Sequence, residues 1–273
     1  MWSAGLSLIV TICLVLVYNP AIAVEPLIAS GCSVSNLGYL NNLAKEFEKE
    51  TGVKVLVRGG GSFVGLNDLG AQKTDFAASC KSKGHEDPED FQFIKVAWDA
   101  LVFIVNKANP VSNVKPEDIE AIYEGKITNW KQLGGNDMVL KSFITTTNGM
   151  GGIGEALSKW ILHGRPVTER SNSSMQASSA SIWEQLVEKI PEGFASTGFA
   201  SARKRNVKML TVNGEAPTKQ NIMSGKYPFK RPLFIVVKKD AMPEVKRFTD
   251  FVLSKKGQRL ISSYGIPSLS DMK

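Results

Sequence analysis

The chain is predicted to be an α/β protein in which short strands hand over to helices through glycine- and serine-rich loops. Three stretches carry that prediction. Val53, Val55 and Val57 alternate with Lys54, Leu56 and Arg58, and this strand runs into Gly59-Gly60-Gly61-Ser62 and a helical pattern from Leu66. Leu27-Ile28-Ala29 runs through Ser30-Gly31-Cys32-Ser33-Val34-Ser35 into an amphipathic stretch. Phe143-Ile144-Thr145 runs through Thr146-Thr147-Asn148-Gly149-Met150-Gly151-Gly152 into another. Loops at the carboxyl ends of strands gather at one edge of such sheets and bind ligands there.

The elements follow in order. Asn36 to Glu50 places Leu37, Leu40, Leu43, Ala44 and Phe47 on one face, and Gly52 stands where a helix C-terminal glycine belongs. Phe76-Ala77-Ala78 is a strand ending at Ser79-Cys80-Lys81. The loops Gly31–Ser35, Gly59–Gly65 and Ser79–Lys83 therefore converge. Glycines let backbone N–H groups approach a ligand, and a helix start adds positive partial charge, so the Gly59–Gly65 loop is an anion cradle or a plain strand-to-helix turn. It has neither P-loop nor dinucleotide-fold spacing. Ile94 to Asn106 is a long apolar strand interrupted by Asp99, long enough to cross between two lobes. Pro116 to Tyr123 is a helix with Pro at its start. The unit from Phe143 to the helix at Ile153–Leu162 could face the first across a cleft. Arg170 to Ala180 reads as a solvated Ser-rich loop before a helix at Ile182–Lys189. Phe194–Phe199, Val207–Val212 and Leu233–Val237 are strands, Pro243–Leu253 is a helix, and Ser262-Ser263-Tyr264 ends the last helix.

Composition sets the outer bounds. The 273 residues are 43% hydrophobic and 22% charged, an ordinary globular balance that excludes a disordered chain. Lys and Arg outnumber Asp and Glu by 33 to 26, and the net charge of +7 favours anionic partners. The basic residues are scattered, which speaks against nucleic acid. Residues 1–23 read as a secretory signal peptide: an uncharged apolar run from Leu6 to Val17, a break at Asn19-Pro20, and a small-x-small site at Ala21-Ile22-Ala23. An uncleaved anchor is the alternative, because no Lys or Arg precedes the run. The mature chain would be Val24–Lys273, exported to the periplasm. Only Cys32 and Cys80 remain in it. Their readings stay open between a disulfide, two inert thiols and a soft-ligand site.

The chain resembles the PstS-like phosphate-binding periplasmic proteins of ABC importers. The resemblance is carried by Glu50–Val55, the Gly59–Gly65 loop, Thr74–Ser79, Ala97–Asn109, Ile122–Trp130, Leu133-Gly134-Gly135, Val212–Thr218 and Gly225–Val237 with its Tyr-Pro-x-x-Arg-Pro. It spans nearly the whole mature chain. It implies a type II periplasmic-binding-protein fold: two α/β lobes with an interlobe ligand cleft, at about 24–98 plus 233–273 and 99–232. It also implies a monomer that captures a small anionic solute, needs no cofactor, does no chemistry, and passes its cargo to ABC permease subunits or a membrane sensor. By the same resemblance Ser33 or Val34, beside Cys32, holds the first-loop hydroxyl position, and Gly61 and Ser62 match the glycine loop. Cys80 stands where the family has a carboxylate or Ser-Arg. Thr146 stands at an arginine position, and Gly149-Met150-Gly151-Gly152 replaces Gly-Ser-Gly-Thr, with Asn148 alongside. Each charge-assisted bond so lost is worth about 1.5–3 kcal/mol, so ordinary high-affinity phosphate binding is not expected.

Two further readings were weighed. Cys32, Cys80 and Met150 on three loops would suit Cu(I) or an arsenite-like species. Ser62, His85 and His163 could be imagined as a hydrolytic triad, but neither histidine sits in a nucleophile motif.

Overall fold

A computed structural model describes residues 25–145, 151–167, 175–177 and 179–272. The signal-peptide stretch and four candidate site residues, Thr146, Asn148, Gly149 and Met150, lie outside the described residues, as does most of the Ser-rich loop.

The strands are β1 (Leu27–Gly31), β2 (Val55–Gly59), β3 (Phe76–Ser79), β4 (Phe91–Asn106), β5 (Asn113–Val114), β6 (Lys141–Thr145), β7 (Met175–Ala177), β8 (Gly193–Gly198), β9 (Val207–Met209), β10 (Thr211–Val212) and β11 (Lys230–Lys238). The helices are α1 (Ser33–Ser35), α2 (Asn41–Thr51), α3 (Ser62–Gly70), α4 (Pro116–Tyr123), α5 (Ile153–Trp160), α6 (Ala180–Lys189), α7 (Phe199–Ala202), α8 (Lys219–Ser224), α9 (Pro243–Leu253) and α10 (Lys255–Ser263). A wider, π-type turn at Asn36–Leu40 joins α1 to α2, so the helical run starts at Ser33, three residues before the predicted start. Helix α3 likewise starts at Ser62 rather than Leu66. The periodic pattern could not show either start: α1 opens Ser-Val-Ser, and the apolar residues of the first turn of α3, Phe63 and Val64, lie off its buried face.

One sheet in the order β2-β1-β3-β11-β4-β8-β6-β7 forms the spine, with β9 also on β4. At one end β1 lies parallel between β2 and β3, in the register Leu27↔Val55 and Ala29↔Phe76. Strand β11 runs antiparallel to β3 and to the first part of β4, with Arg231 opposite Asp99. The second part of β4 pairs with β8 from Leu101↔Gly198 to Val105↔Phe194, and β6 lies parallel to β8. The two ends of the sheet thus share β4, as the long apolar run predicted.

Each end has its own aromatic core. Phe248 of α9 meets Phe47 edge-on at 5.2 Å and Phe76 at 5.1 Å. At the other end Phe143 stacks on Trp183 at 5.2 Å. Such pairs contribute about 0.5–1.5 kcal/mol beyond the area they bury. The buried carboxylate of Glu184 on α6 accepts from Thr197 of β8, Ser201 of α7 and Arg205, and so ties three elements together. Among the described residues no helix is long and apolar enough to cross a membrane.

Helix α3 lies unusually close to β1. A Cβ on Gly65 would come within 2.6 Å of Gly31 Cα and 2.7 Å of Ser30 O. Both are backbone atoms that cannot swing aside. Gly65→Ala should therefore destabilise the chain by about 1–3 kcal/mol through overpacking. Urea unfolding reads this as a lower midpoint with an unchanged slope. An unchanged midpoint would mean that α3 is free to move off the sheet.

Candidate anion cleft

Three loops meet at the carboxyl ends of β1, β2 and β3. The first follows Gly31, whose φ of +131° and closeness to Ala78 O exclude a side chain. Cys32 N–H then donates to Ala78 O at 2.8 Å, and Asn36 Nδ2 donates to Arg58 O at 2.8 Å, fixing the start of the helical run against β2 and β3. The second loop turns at Gly61, with φ +100°, whose N–H donates to Gly31 O at 3.0 Å. Ser62 follows as the first residue of α3. Its Oγ accepts Cys80 N–H at 3.0 Å and lies 3.4 Å from Cys80 Sγ. The serine hydroxyl therefore joins the second loop to the third instead of capping its own helix.

Gly151 and Gly152 close over this floor from the other end of the sheet. Their φ angles are +42° and +76°. A Cβ on Gly152 would overlap Cys80 Sγ, and one on Gly151 would come within 2.6 Å of Lys81 Cδ. Gly152 is also the residue that caps α5. Cys80 thus touches the N-terminus of α3 through Ser62 and that of α5 through Gly152. Both helix ends place positive partial charge on it.

Beneath the cysteines lies a buried ion pair. Arg231 donates to Asp99 Oδ2 through Nε at 3.0 Å and through Nη2 at 2.7 Å. Asp99 Oδ1 accepts Ala200 N–H at 2.8 Å. Asp99 has no exposed surface and Arg231 has 3%. Gly198 leaves the room: a Cβ there would lie 2.6 Å from Asp99 Oδ2 and 2.8 Å from Arg231 Nη2.

The two cysteines are buried free thiols. The Cys32 thiol, acting as a hydrogen-bond donor, lowers Cys80 from the ordinary 9.0 to about 7, against its own burial and with help from the Arg231 charge and Ser62. Burial pushes Cys32 well up, and neighbouring Cys80 adds to that. Cys80 is therefore the thiolate of the pair and Cys32 the neutral thiol. Burial opposes the Arg231 charge, but Cys80, Asp99 and Cys32 more than offset it. Lys81 is committed elsewhere: its Nζ reaches Asp87 Oδ2 at 2.7 Å and Glu86 Oε1 at 2.9 Å.

A cavity of about 170 Å³ lies between these groups, lined by Cys80, Gly152, Glu155, Lys159, Lys230 and Arg231. It shares Lys81, Ser82, Glu155 and Lys159 with an outer recess of about 750 Å³. The lining offers the backbone at the start of α5, one thiol and the cations Lys81, Lys159, Lys230 and Arg231 against the single carboxylate of Glu155, a balance that suits an anion.

Of the residues singled out in the sequence, Cys32, Ser62, Cys80 and Gly152 come together. Gly151 packs on the adjoining Lys81, Gly61 bonds back to Gly31, and Ser33 is buried as the first residue of the helical run. Sequence reasoning missed Asp99 and Arg231 as parts of the cleft. The sequence offers a partial signal: Asp99 is the one acid in the long β4 run, and an acid inside such a strand is almost never buried unless paired. The triad idea is not assembled. Ser62 Oγ is bonded at Cys80, His85 is exposed, and His163 is exposed with its Nε2 3.7 Å from Glu120. Among the described residues no three His, Cys, Asp or Glu side chains are grouped to hold a metal, and Met150 lies outside them.

Comparison with known proteins gives this geometry a context. The chain is 29% identical over 250 residues to the phosphate-binding protein PstS of Borreliella burgdorferi, covering 88% of this chain and 89% of that protein. It is 24% identical over 248 residues to the phosphate-binding protein PstS of Bacillus subtilis, covering 89% and 81%. Among solved structures, an ABC-type phosphate transport receptor from Vibrio cholerae matches with a TM-score of 0.66 at 27% identity, over 89% of this chain and all 100% of that one. A substrate-binding protein from Clostridium perfringens, solved with bound phosphate, matches with a TM-score of 0.79 at 24% identity, over 90% and 100%. The fold is the type II periplasmic-binding-protein fold expected from the sequence. A family model described as PBP superfamily domain matches residues 20–256, and the chain belongs to that superfamily.

Proposed function

We propose that this chain is an exported solute-binding protein that captures a small oxyanion of the phosphate class and hands it to ABC permease subunits. The observation that carries the reading is a cavity that opens at the N-terminus of α5, with Cys80, bonded to the first residue of α3, and the buried Arg231 in its wall. The phosphate-binding relatives favour an oxyanion over a soft metal or arsenite-like species. In this reading the lobes are 24–98 with 233–273, and 99–232. Strands β4 and β11 cross between them, and residues 1–23 are removed on export. The anion sits between Ser33, Ser62, Cys80 and the glycine loop ending at Gly152. Closure of one lobe on the other captures it, and the protein performs no catalysis.

Isothermal titration of the purified mature chain with inorganic phosphate tests this. Binding is expected, and Ser62→Ala should weaken it by roughly tenfold, the loss of about one hydrogen bond. If neither phosphate, sulfate nor arsenate produces heat of binding, the reading falls.

The thiols make a second expectation. The folded Cys80 value of about 7 lies below the ordinary 9.0, so folding favours its thiolate. Its contribution to stability is fully present above pH 9.0 and is lost as pH falls through about 7. Cys32 acts oppositely and only above its ordinary 9.0, because its folded value is raised. The melting-temperature advantage of the native chain over Cys80→Ser should therefore grow between pH 7 and 9.0. An advantage that stays constant across that window would contradict the assignment of Cys80 as the thiolate.

A further inference from the structure

We propose that Arg231 is the charged donor of the cleft, and that its Nη1 hydrogen-bonds the captured oxyanion. The inference rests on the oxyanion reading above and adds to it the residue that supplies positive charge.

A guanidinium carries five N–H groups in a fixed fork. In Arg231, the Nε–H and one N–H of Nη2 both go to a single oxygen of Asp99, leaving one N–H on Nη2 and two on Nη1. Nη1 has no hydrogen-bond partner, although the side chain is almost wholly buried. Buried polar groups nearly always have partners, and a charged one left without costs more than a neutral one. The same arginine lines the 170 Å³ cavity together with Cys80 and Gly152. A ligand with several acceptor oxygens in that cavity would complete the fork.

The other cations around the cavity are engaged. Lys81 is held by Glu86 and Asp87. Lys230 Nζ sits over the Trp98 ring at 5.0 Å, and Lys159 Nζ lies 6.0 Å from the Trp160 ring. Both can steer an anion inward, whereas Arg231 is the deep, immobilised one. Asp99 then acts as a positioning residue. By taking two N–H groups on one oxygen it fixes the plane of the fork and leaves Nη1 over. Arginine suits this role because its charge survives burial and its geometry matches an oxyanion, neither of which holds for a lysine in the same place.

Two measurements on the mature chain decide the matter. The first is isothermal titration with inorganic phosphate of the native chain and of Arg231→Lys, which keeps the charge beside Asp99 and loses the fork. Phosphate affinity should fall by roughly 10–100-fold, the value of one charge-assisted bond. The second is side-chain nitrogen NMR of the native chain with labelled arginine. The Arg231 guanidinium signals should shift and sharpen as phosphate is added. If the native chain binds phosphate while the Arg231 signals stay unmoved, or Arg231→Lys binds within about twofold, the assignment is overturned and the oxyanion reading survives. If the native chain binds none of phosphate, sulfate and arsenate, both fall. Should Arg231→Lys fail to fold, the NMR experiment on the native chain decides alone.

Discussion

The buried pair between Asp99 and Arg231 is the constraint from which much of this structure follows. It joins β4 to β11 at the point where β4 leaves one end of the sheet for the other. Removing either partner would leave a charge stranded without water, at a cost of about 3–5 kcal/mol. An apolar pair of equal volume could pack there without that risk, so stability alone does not explain the charges. The pair also needs Gly198 beside it and the Ala200 amide on its second oxygen. It therefore fixes β8 and the start of α7 relative to β11. The Cys32 hydrogen bond is the main cause of the lowered Cys80 value, and the Arg231 charge acts in the same direction on both cysteines.

The cleft is built as much by absence as by presence. Gly31, Gly65, Gly151 and Gly152 each stand where a side chain would collide with a neighbouring element. Their removal from side-chain chemistry brings α3 down onto β1 and the start of α5 onto Cys80. Helix N-termini and backbone amides then do what longer polar side chains would do in a looser site. A thiolate at Cys80 is stabilised by the same partial charges and by the same arginine that would stabilise an incoming anion. On the oxyanion reading, the two negative groups would compete for one set of partners, which would couple the thiol chemistry of the cleft to its ligand chemistry.

Much of this was legible in the sequence. The alternation at Val53–Arg58, the apolar faces of α2 and α9, and the length of the run ending at Asn106 predicted their elements to within a few residues. The convergence of three loops followed from the alternation of strands, loops and helices, which pointed to Cys32, Ser62 and Cys80, while Gly152 came from the separate unit that begins at Phe143. Helix starts are hidden because α1 opens Ser-Val-Ser and because Phe63 and Val64, in the first turn of α3, fall off the buried face that Leu66 and Leu69 mark. Arg231 and Asp99 escaped as cleft residues because their partnership spans 132 positions. Nothing local marks it, and only the antiparallel register of β4 and β11 sets them face to face. The carboxylate and arginine expected from the resemblance are replaced here by Cys80 and Thr146, so the site could not be transferred position by position.

The central claim is that an oxyanion is held at the α5 helix start, over Cys80 and against Arg231. A crystal structure of the mature chain grown with phosphate tests it most directly. The account predicts tetrahedral density in the cavity lined by Cys80, Gly152 and Arg231, with Arg231 Nη1 within hydrogen-bond distance of an oxygen. Phosphate bound elsewhere, or a cleft occupied only by a Cys32–Cys80 disulfide and water, would contradict it.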